Sequence, residues 1–119
     1  MICMCVDPEG EVCKPLRVAS LDEGSAAGLA AGFKALGDPH RIFILHLLAA
    51  AGQPVCVVDV ERHIDLAQST ISHHLKTLLD AGLIARERRG KWSYYSIVDD
   101  RIAQLVGGVR DVTRGPDRI

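Results

Sequence analysis

From Gln68 to Val98 the spacing of apolar side chains changes from a helical repeat to strict alternation, and few folds accommodate that switch. Ile71, Leu75, Leu78 and Leu79 fall on one face of a helix, so Gln68 to Ala81 is expected to be amphipathic and α-helical. Gly82 follows at the position where a helix end favours glycine. Beyond it, Leu83 to Arg88 and Trp92 to Val98 read as strands joined by Arg89-Gly90-Lys91, the pattern of a β-hairpin. Upstream, Val57 to Ile64 reads as a short helix set off from the long one by Asp65-Leu66-Ala67, which is the spacing of a helix-turn-helix. A helix-turn-helix that runs directly into a hairpin describes a winged helix.

Composition agrees with one small domain. The chain has 119 residues, 48% hydrophobic and 24% charged, ordinary values for a globular protein with a core of its own. Its longest apolar stretches, Ile42 to Leu45 and Leu47 to Ala51, are separated by His46 and fall short of the roughly 20 residues that a bilayer span needs. No basic start leads into a long apolar run at the N-terminus, so a cytoplasmic, reducing location is expected. The net charge of −1 argues against indiscriminate binding to nucleic acid. Charge is nevertheless local, because from Ile84 to Ser96 the bases Arg86, Arg88, Arg89 and Lys91 face Glu87 alone.

Three parts are expected: an N-terminal arm over 1–19, a domain over 20–112 and a tail over 113–119. The arm holds Pro8, Gly10 and Pro15 together with Cys3, Cys5 and Cys13. Ser20 and Glu23 match a capping box opening a helix from Leu21 to Leu36, with Gly24, Gly28 and Gly32 on one face where a second helix could approach closely. Asp38-Pro39 then caps and starts a helix to about Ala51, offering Ile42, Phe43, Leu45 and Leu48 to the core until Gln53-Pro54 breaks it. Asp99 and Asp100 open a last helix in which Ile102, Leu105, Val106, Val109 and Val112 repeat at helical spacing, ending before Gly115-Pro116. The expected class is mainly α, with a β-hairpin wing.

The polar face of the 68–81 helix carries Gln68, Ser69, Thr70, Ser72, His73, His74, Lys76 and Thr77. Short hydroxyls, amides and a lysine suit a helix that enters the major groove, donates to phosphates and touches base edges. Arg88, Arg89 and Lys91 on the adjoining wing add a second contact zone on the neighbouring backbone. A polar solvent face alone would explain the helix but not the charged hairpin beside it, so the combination points to DNA. His73 and His74 lie about 100° apart on the helix and do not easily share one metal ion. One is expected to meet DNA and the other to pack or touch phosphate. His40 and His46 are read as surface or core residues, and His63 has no cysteine within a turn.

The run Ala-Gln-Ser-Thr-Ile-Ser-His-His-Leu-Lys-Thr-Leu-Leu-Asp-Ala-Gly-Leu-Ile over 67–84, followed by Arg88-Arg89-Gly90-Lys91-Trp92-Ser93-Tyr94-Tyr95, resembles the ArsR/SmtB family of metal-responsive winged-helix repressors. Phe33 to Ile42 is similar to the stretch that leads into that family's second helix. The resemblance covers about residues 20–112. It implies a homodimer formed largely by the first and last helices, which binds an operator of dyad symmetry and releases it when an inducer binds. The glycine faces Gly24/Gly28/Gly32 and Gly107/Gly108 would fit such a seam.

The resemblance also frames what is sensed. A zinc or nickel site on the last helix would need histidine there, and no histidine follows His74. Val55-Cys56-Val57-Val58-Asp59 sits where arsenic-sensing relatives resemble a Cys-Val-Cys-Asp run, with Val58 at the second cysteine position. Val12-Cys13-Lys14-Pro15-Leu16 resembles a second subgroup's N-terminal cysteine pair with one member missing. Cys13 and Cys56, with Cys5 or Cys3 as third sulfur, are therefore the expected thiolate site for As(III) or Sb(III), whose softness matches sulfur. No cofactor is expected beyond that inducer.

Two other readings stand beside it. The same repressor could answer to Cd(II), Pb(II) or thiol oxidation, and a winged-helix interaction module could have no inducer at all. An enzyme is not expected, since no cysteine, serine or carboxylate falls in a recognisable nucleophile or acid–base arrangement.

Overall fold

The computed structural model describes residues 23–114. Cys3, Cys5, Cys13, Ser20 of the capping box, the boundary at 19/20 and the tail beyond Arg114 lie outside the described residues. Five helices and three strands follow in the order α1 (Glu23–Leu36), α2 (Pro39–Ala51), β1 (Val55–Cys56), α3 (Val57–His63), α4 (Gln68–Asp80), β2 (Ile84–Arg89), β3 (Trp92–Ile97) and α5 (Asp99–Thr113). Among the described residues no helix is long and apolar enough to cross a membrane.

Local chemistry sets the boundaries. Asp38 is the N-cap of α2: its Oδ1 accepts the backbone N–H of His40 at 2.8 Å and of Arg41 at 3.4 Å, while Pro39 occupies the first turn, where no N–H is needed. Gly52 closes α2 in the left-handed region at φ +64°. The end of α4 is a Schellman motif. Gly82, at φ +75°, donates to the carbonyl of Leu79 at 2.9 Å, and Leu83 donates to that of Leu78 at 3.0 Å. Leu78 and Leu83 are both fully buried, so the turn that stops the helix also anchors the start of the hairpin.

The hairpin is β2 paired antiparallel with β3, in register from Ile84 opposite Ile97 to Arg89 opposite Trp92. Gly90 takes φ +64° in the two-residue turn, at the first central position, where a glycine suits strand twist. A further strand, β1, is too short for its pattern to show in the sequence. Val55 and Cys56 pair antiparallel with Tyr95 and Tyr94, giving a three-stranded sheet in the order β1-β3-β2.

The core gathers Ile44 and Leu48 of α2, Val60 of α3, Ile71, Leu75 and Leu78 of α4, Leu83 just before β2, and Leu105 of α5. Two expectations about it are corrected. Ile42 and Phe43 are about half exposed, because the inward face of α2 runs 41-44-45-48 and places Ile44, not its two apolar predecessors, in the core. On α5 only Leu105 of the expected stripe is fully buried and Ile102 packs at the core's edge; Val106, Val109 and Val112 remain exposed.

The α1–α5 contact is intramolecular and depends on two glycines. A Cβ at Gly32 would collide with the Leu105 side chain, and one at Gly108 would come within 2.5 Å of Leu29. Gly28 and Gly107 face open space instead. The glycine faces are thus shared between a seam already closed within the chain and an open surface. Arg101 adds polar ties, donating from Nε to the Ala81 carbonyl at 3.2 Å and from Nη2 to that of Gly28 at 3.4 Å.

Candidate nucleic-acid interface

The four residues 64–67 separate α3 from α4. Ala67 caps α4 with no side-chain hydrogen bond, and the first amides tied back to its carbonyl are those of Thr70 and Ile71, both at 3.0 Å. The N–H groups of the first turn are therefore available to an anion, in line with the positive end of the helix dipole.

Apolar and polar residues of α4 fall on opposite sides, with His74 as the exception. Ile71, Leu75 and Leu78 are buried, whereas Gln68, Ser69, Thr70, Ser72, His73 and Lys76 are exposed. Thr77 is half-buried and donates its hydroxyl to the His73 carbonyl at 3.0 Å, so it offers less to a partner than its position suggests.

His74 does not belong to that face. It is 7% exposed, the one buried polar residue among those described, and its ring points toward the start of α2. Arg41 donates from Nη1 to His74 Nδ1 at 3.3 Å, from Nε to the Ala35 carbonyl at 2.6 Å and from Nη2 to the Lys34 carbonyl at 3.2 Å. One guanidinium thus ties the last turn of α1 and the first turn of α2 to the middle of α4. Burial pushes His74 below its ordinary pKa against the pull of Asp38, so the ring is held neutral. Burial also acts to raise the Asp38 carboxyl, but the amides of His40 and Arg41 and the nearby His74 and Arg41 outweigh it and hold it below the usual range. The expectation that His74 contacts DNA is corrected: it positions the helix from behind.

The wing presents Arg86, Arg88, Arg89 and Lys91, all exposed. Arg89 is held by Glu87 at 3.1 Å and lies 4.6 Å over the Tyr94 ring, and Lys91 Nζ lies 5.6 Å from the centre of exposed Trp92. Among the described residues Arg86 and Arg88 carry no ion pair. Arg86 instead lines an open groove of about 580 Å³ between α4 and the sheet, with Ser72, Lys76, Asp80 and Tyr95. Ser72 and Lys76 of the polar face of α4 and Arg86 of β2 therefore meet at one groove, with the other wing cations exposed further along the hairpin.

Cys56 is half-buried and is the one cysteine among the described residues. It caps α3 without a side-chain hydrogen bond and stands opposite Tyr94 of β3. Sequence spacing placed it just before the helix-turn-helix; the structure adds its direct backbone pairing to the wing. The signal missed was Val55-Cys56 as a strand, too short for any alternation to show.

Residues 38–86 match the family model described as bacterial regulatory protein, arsR family. The arsenical resistance operon repressor of Bacillus subtilis is 43% identical over 74 residues, 62% of this chain and 70% of that protein. A cadmium resistance transcriptional regulatory protein CadC homolog of Staphylococcus aureus is 40% identical over 74 residues, 62% of this chain and 60% of that protein. Among solved structures, the homodimeric winged helix-turn-helix DNA-binding domain of a possible ArsR-family regulator from Mycobacterium bovis superposes with a TM-score of 0.60 at 27% identity, covering 86% of this chain and 98% of that one.

Proposed function

Because the chain belongs to the ArsR/SmtB family of winged-helix transcriptional regulators, we propose that it is a homodimeric repressor that binds operator DNA and is released by As(III) or Sb(III) held on cysteine thiolates. The observation that carries the DNA reading is the exposed polar face of α4 beside the exposed cations of the wing, with Ser72 and Lys76 of α4 and Arg86 of β2 lining one groove. In this reading Gln68, Ser69, Thr70, Ser72, His73 and Lys76 enter the major groove, while Arg86, Arg88, Arg89 and Lys91 hold the flanking phosphates.

Dimerisation is supported by what the fold leaves uncovered. Val106, Val109 and Val112 on α5 and Phe33 on α1 are large apolar residues in solvent, and an open groove of about 440 Å³ between the two helices is floored by Gly28, Leu29 and Gly108. A second α1–α5 pair would cover them, and the Mycobacterium bovis neighbour is described as homodimeric.

Cys56 is the described member of the inducer site; Cys13 and either Cys5 or Cys3 supply the other sulfurs. Drawing Cys56 toward the arm pulls on the start of α3 and on β3 together, since the same residue belongs to both connections. Release follows if the inducer binds the DNA-incompetent arrangement more tightly, and coupling of about 1–3 kcal/mol weakens DNA binding roughly 5–150-fold. The cadmium-linked relative supports Cd(II) as the competing inducer at the same thiolates. Arsenite titration of the reduced protein against its Cys56→Ser variant tests the site: the variant is expected to lose tight As(III) binding, and unchanged affinity would overturn it. Titrating both with Cd(II) separates the inducers.

A further inference from the structure

Asp38, His40 and His74 come together although no reading of the sequence paired them. Each offers a ligand atom, and the three atoms lie within 4.8 Å of one another. Asp38 Oδ1 is 3.6 Å from His40 Nδ1 and 4.0 Å from His74 Nε2, and the two imidazoles stack with centroids 5.8 Å apart. Donors bound to tetrahedral zinc at 2.0–2.1 Å stand about 3.3 Å apart, so small side-chain rotations separate this arrangement from a metal-binding one. We propose that Asp38, His40 and His74 form a Zn(II) site, independent of the cysteines, that links the start of α2 to α4.

Two imidazoles and a carboxylate are a borderline N/O donor set that suits Zn(II) or Co(II) and leaves a fourth position to water. The side chains differ in exposure as an accessible site requires: His74 is buried and fixed, Asp38 is 30% exposed and His40 50%. Nothing has to open for an ion to enter past His40.

Arg41 sets the strength of the site. A guanidinium only donates, so its bond to His74 Nδ1 makes that nitrogen an acceptor and places the ring proton on Nε2. Zinc takes Nε2; the proton moves to Nδ1 and the Arg41 Nη1 contact opens, while the bonds from Arg41 to the Ala35 and Lys34 carbonyls can remain. Binding therefore competes with the contact that positions α4 and works against a nearby positive charge. The site is weaker than a thiolate site, and its occupancy is felt by the helix whose exposed side faces the groove.

The test uses the full chain with Cys3, Cys5, Cys13 and Cys56 all changed to Ser, titrated with Co(II) and then Zn(II). One Co(II) per chain is expected, with visible d–d bands, no thiolate charge-transfer band, and displacement by Zn(II). His40→Ala in that background, an exposed change that keeps the backbone amide Asp38 caps, is expected to weaken binding at least about tenfold, the lower end of what even an outer partner of a metal ligand costs. His63→Ala, at an exposed histidine elsewhere, is expected to leave it unchanged. Saturating Zn(II) should raise Tm in the cysteine-free chain and not in its His40→Ala form. Should the cysteine-free chain fold poorly, the same His40→Ala comparison in the natural chain reads the visible bands beneath the thiolate signal. No saturable binding, or equal binding with and without His40, overturns the proposal; neither result bears on the thiolate inducer.

Discussion

Arg41 and His74 show how one pair of side chains aims a helix. The guanidinium is fixed by two carbonyls of α1 and reaches across to a histidine that burial keeps neutral. A group whose folded pKa lies below its ordinary value takes up a proton in the unfolded chain first, so acidification favours unfolding. Stability from a neutral His74 is complete above its ordinary pKa of about 6.5 and is lost as pH falls from there toward the depressed folded value. Asp38 acts lower: its folded carboxyl is also depressed, and its contribution disappears as pH falls through the carboxylate range. His74→Gln, whose amide oxygen can still accept from Arg41, is therefore expected to flatten the decline of Tm from neutral to mildly acid pH, and an unchanged slope would contradict the assignment. Gly82→Ala, forced into φ +75°, is expected to cost about 1–2 kcal/mol in urea unfolding. Gly82 was legible from sequence because a glycine after an apolar stripe has one main use, whereas the inward turn of His74 was not, because a histidine suits either side of a helix.

At the scale of elements, legibility followed the strength of the periodic signal. The helix-turn-helix, the hairpin and the limits of α2 and α4 emerged from period, caps and turns. Ile42 and Phe43 misled because four apolar residues in a row hide which of them faces inward; the face is set by Arg41, a polar residue that no apolar pattern counts. The glycines of α1 divide the helix into two kinds of surface. Gly32→Leu is expected to unfold the chain or displace α5, since Leu105 occupies that space. A Cβ at Gly28 meets nothing within 4 Å, and Gly28→Leu, projecting into the open groove, is expected to leave the helical signal intact while weakening the dimer. Sedimentation and circular dichroism on both variants separate these outcomes, and a Gly28→Leu protein with unchanged association would refute the proposed seam. On the wing, Arg88→Ala with Lys91→Ala should reduce the salt dependence of DNA binding by about 0.9 in log–log slope for each phosphate left without its cation. A slope unaffected by both changes would remove the wing from the interface.

Across the whole molecule, β1 ties the parts together. Its two residues pair with the wing strand β3 and lead straight into α3, so Cys56 belongs at once to the sheet and to the start of the helix-turn-helix. The cysteine is legible in the sequence but this connection is not, because pairing partners far apart in the chain leave no local pattern. The most direct test is fluorescence anisotropy of the reduced, full-length protein on the DNA upstream of its own gene, titrated with arsenite. Salt-sensitive binding is expected, relieved by arsenite in the natural protein and left intact in Cys56→Ser. DNA binding that arsenite does not relieve, or that it relieves equally in both proteins, would contradict a repressor released through Cys56.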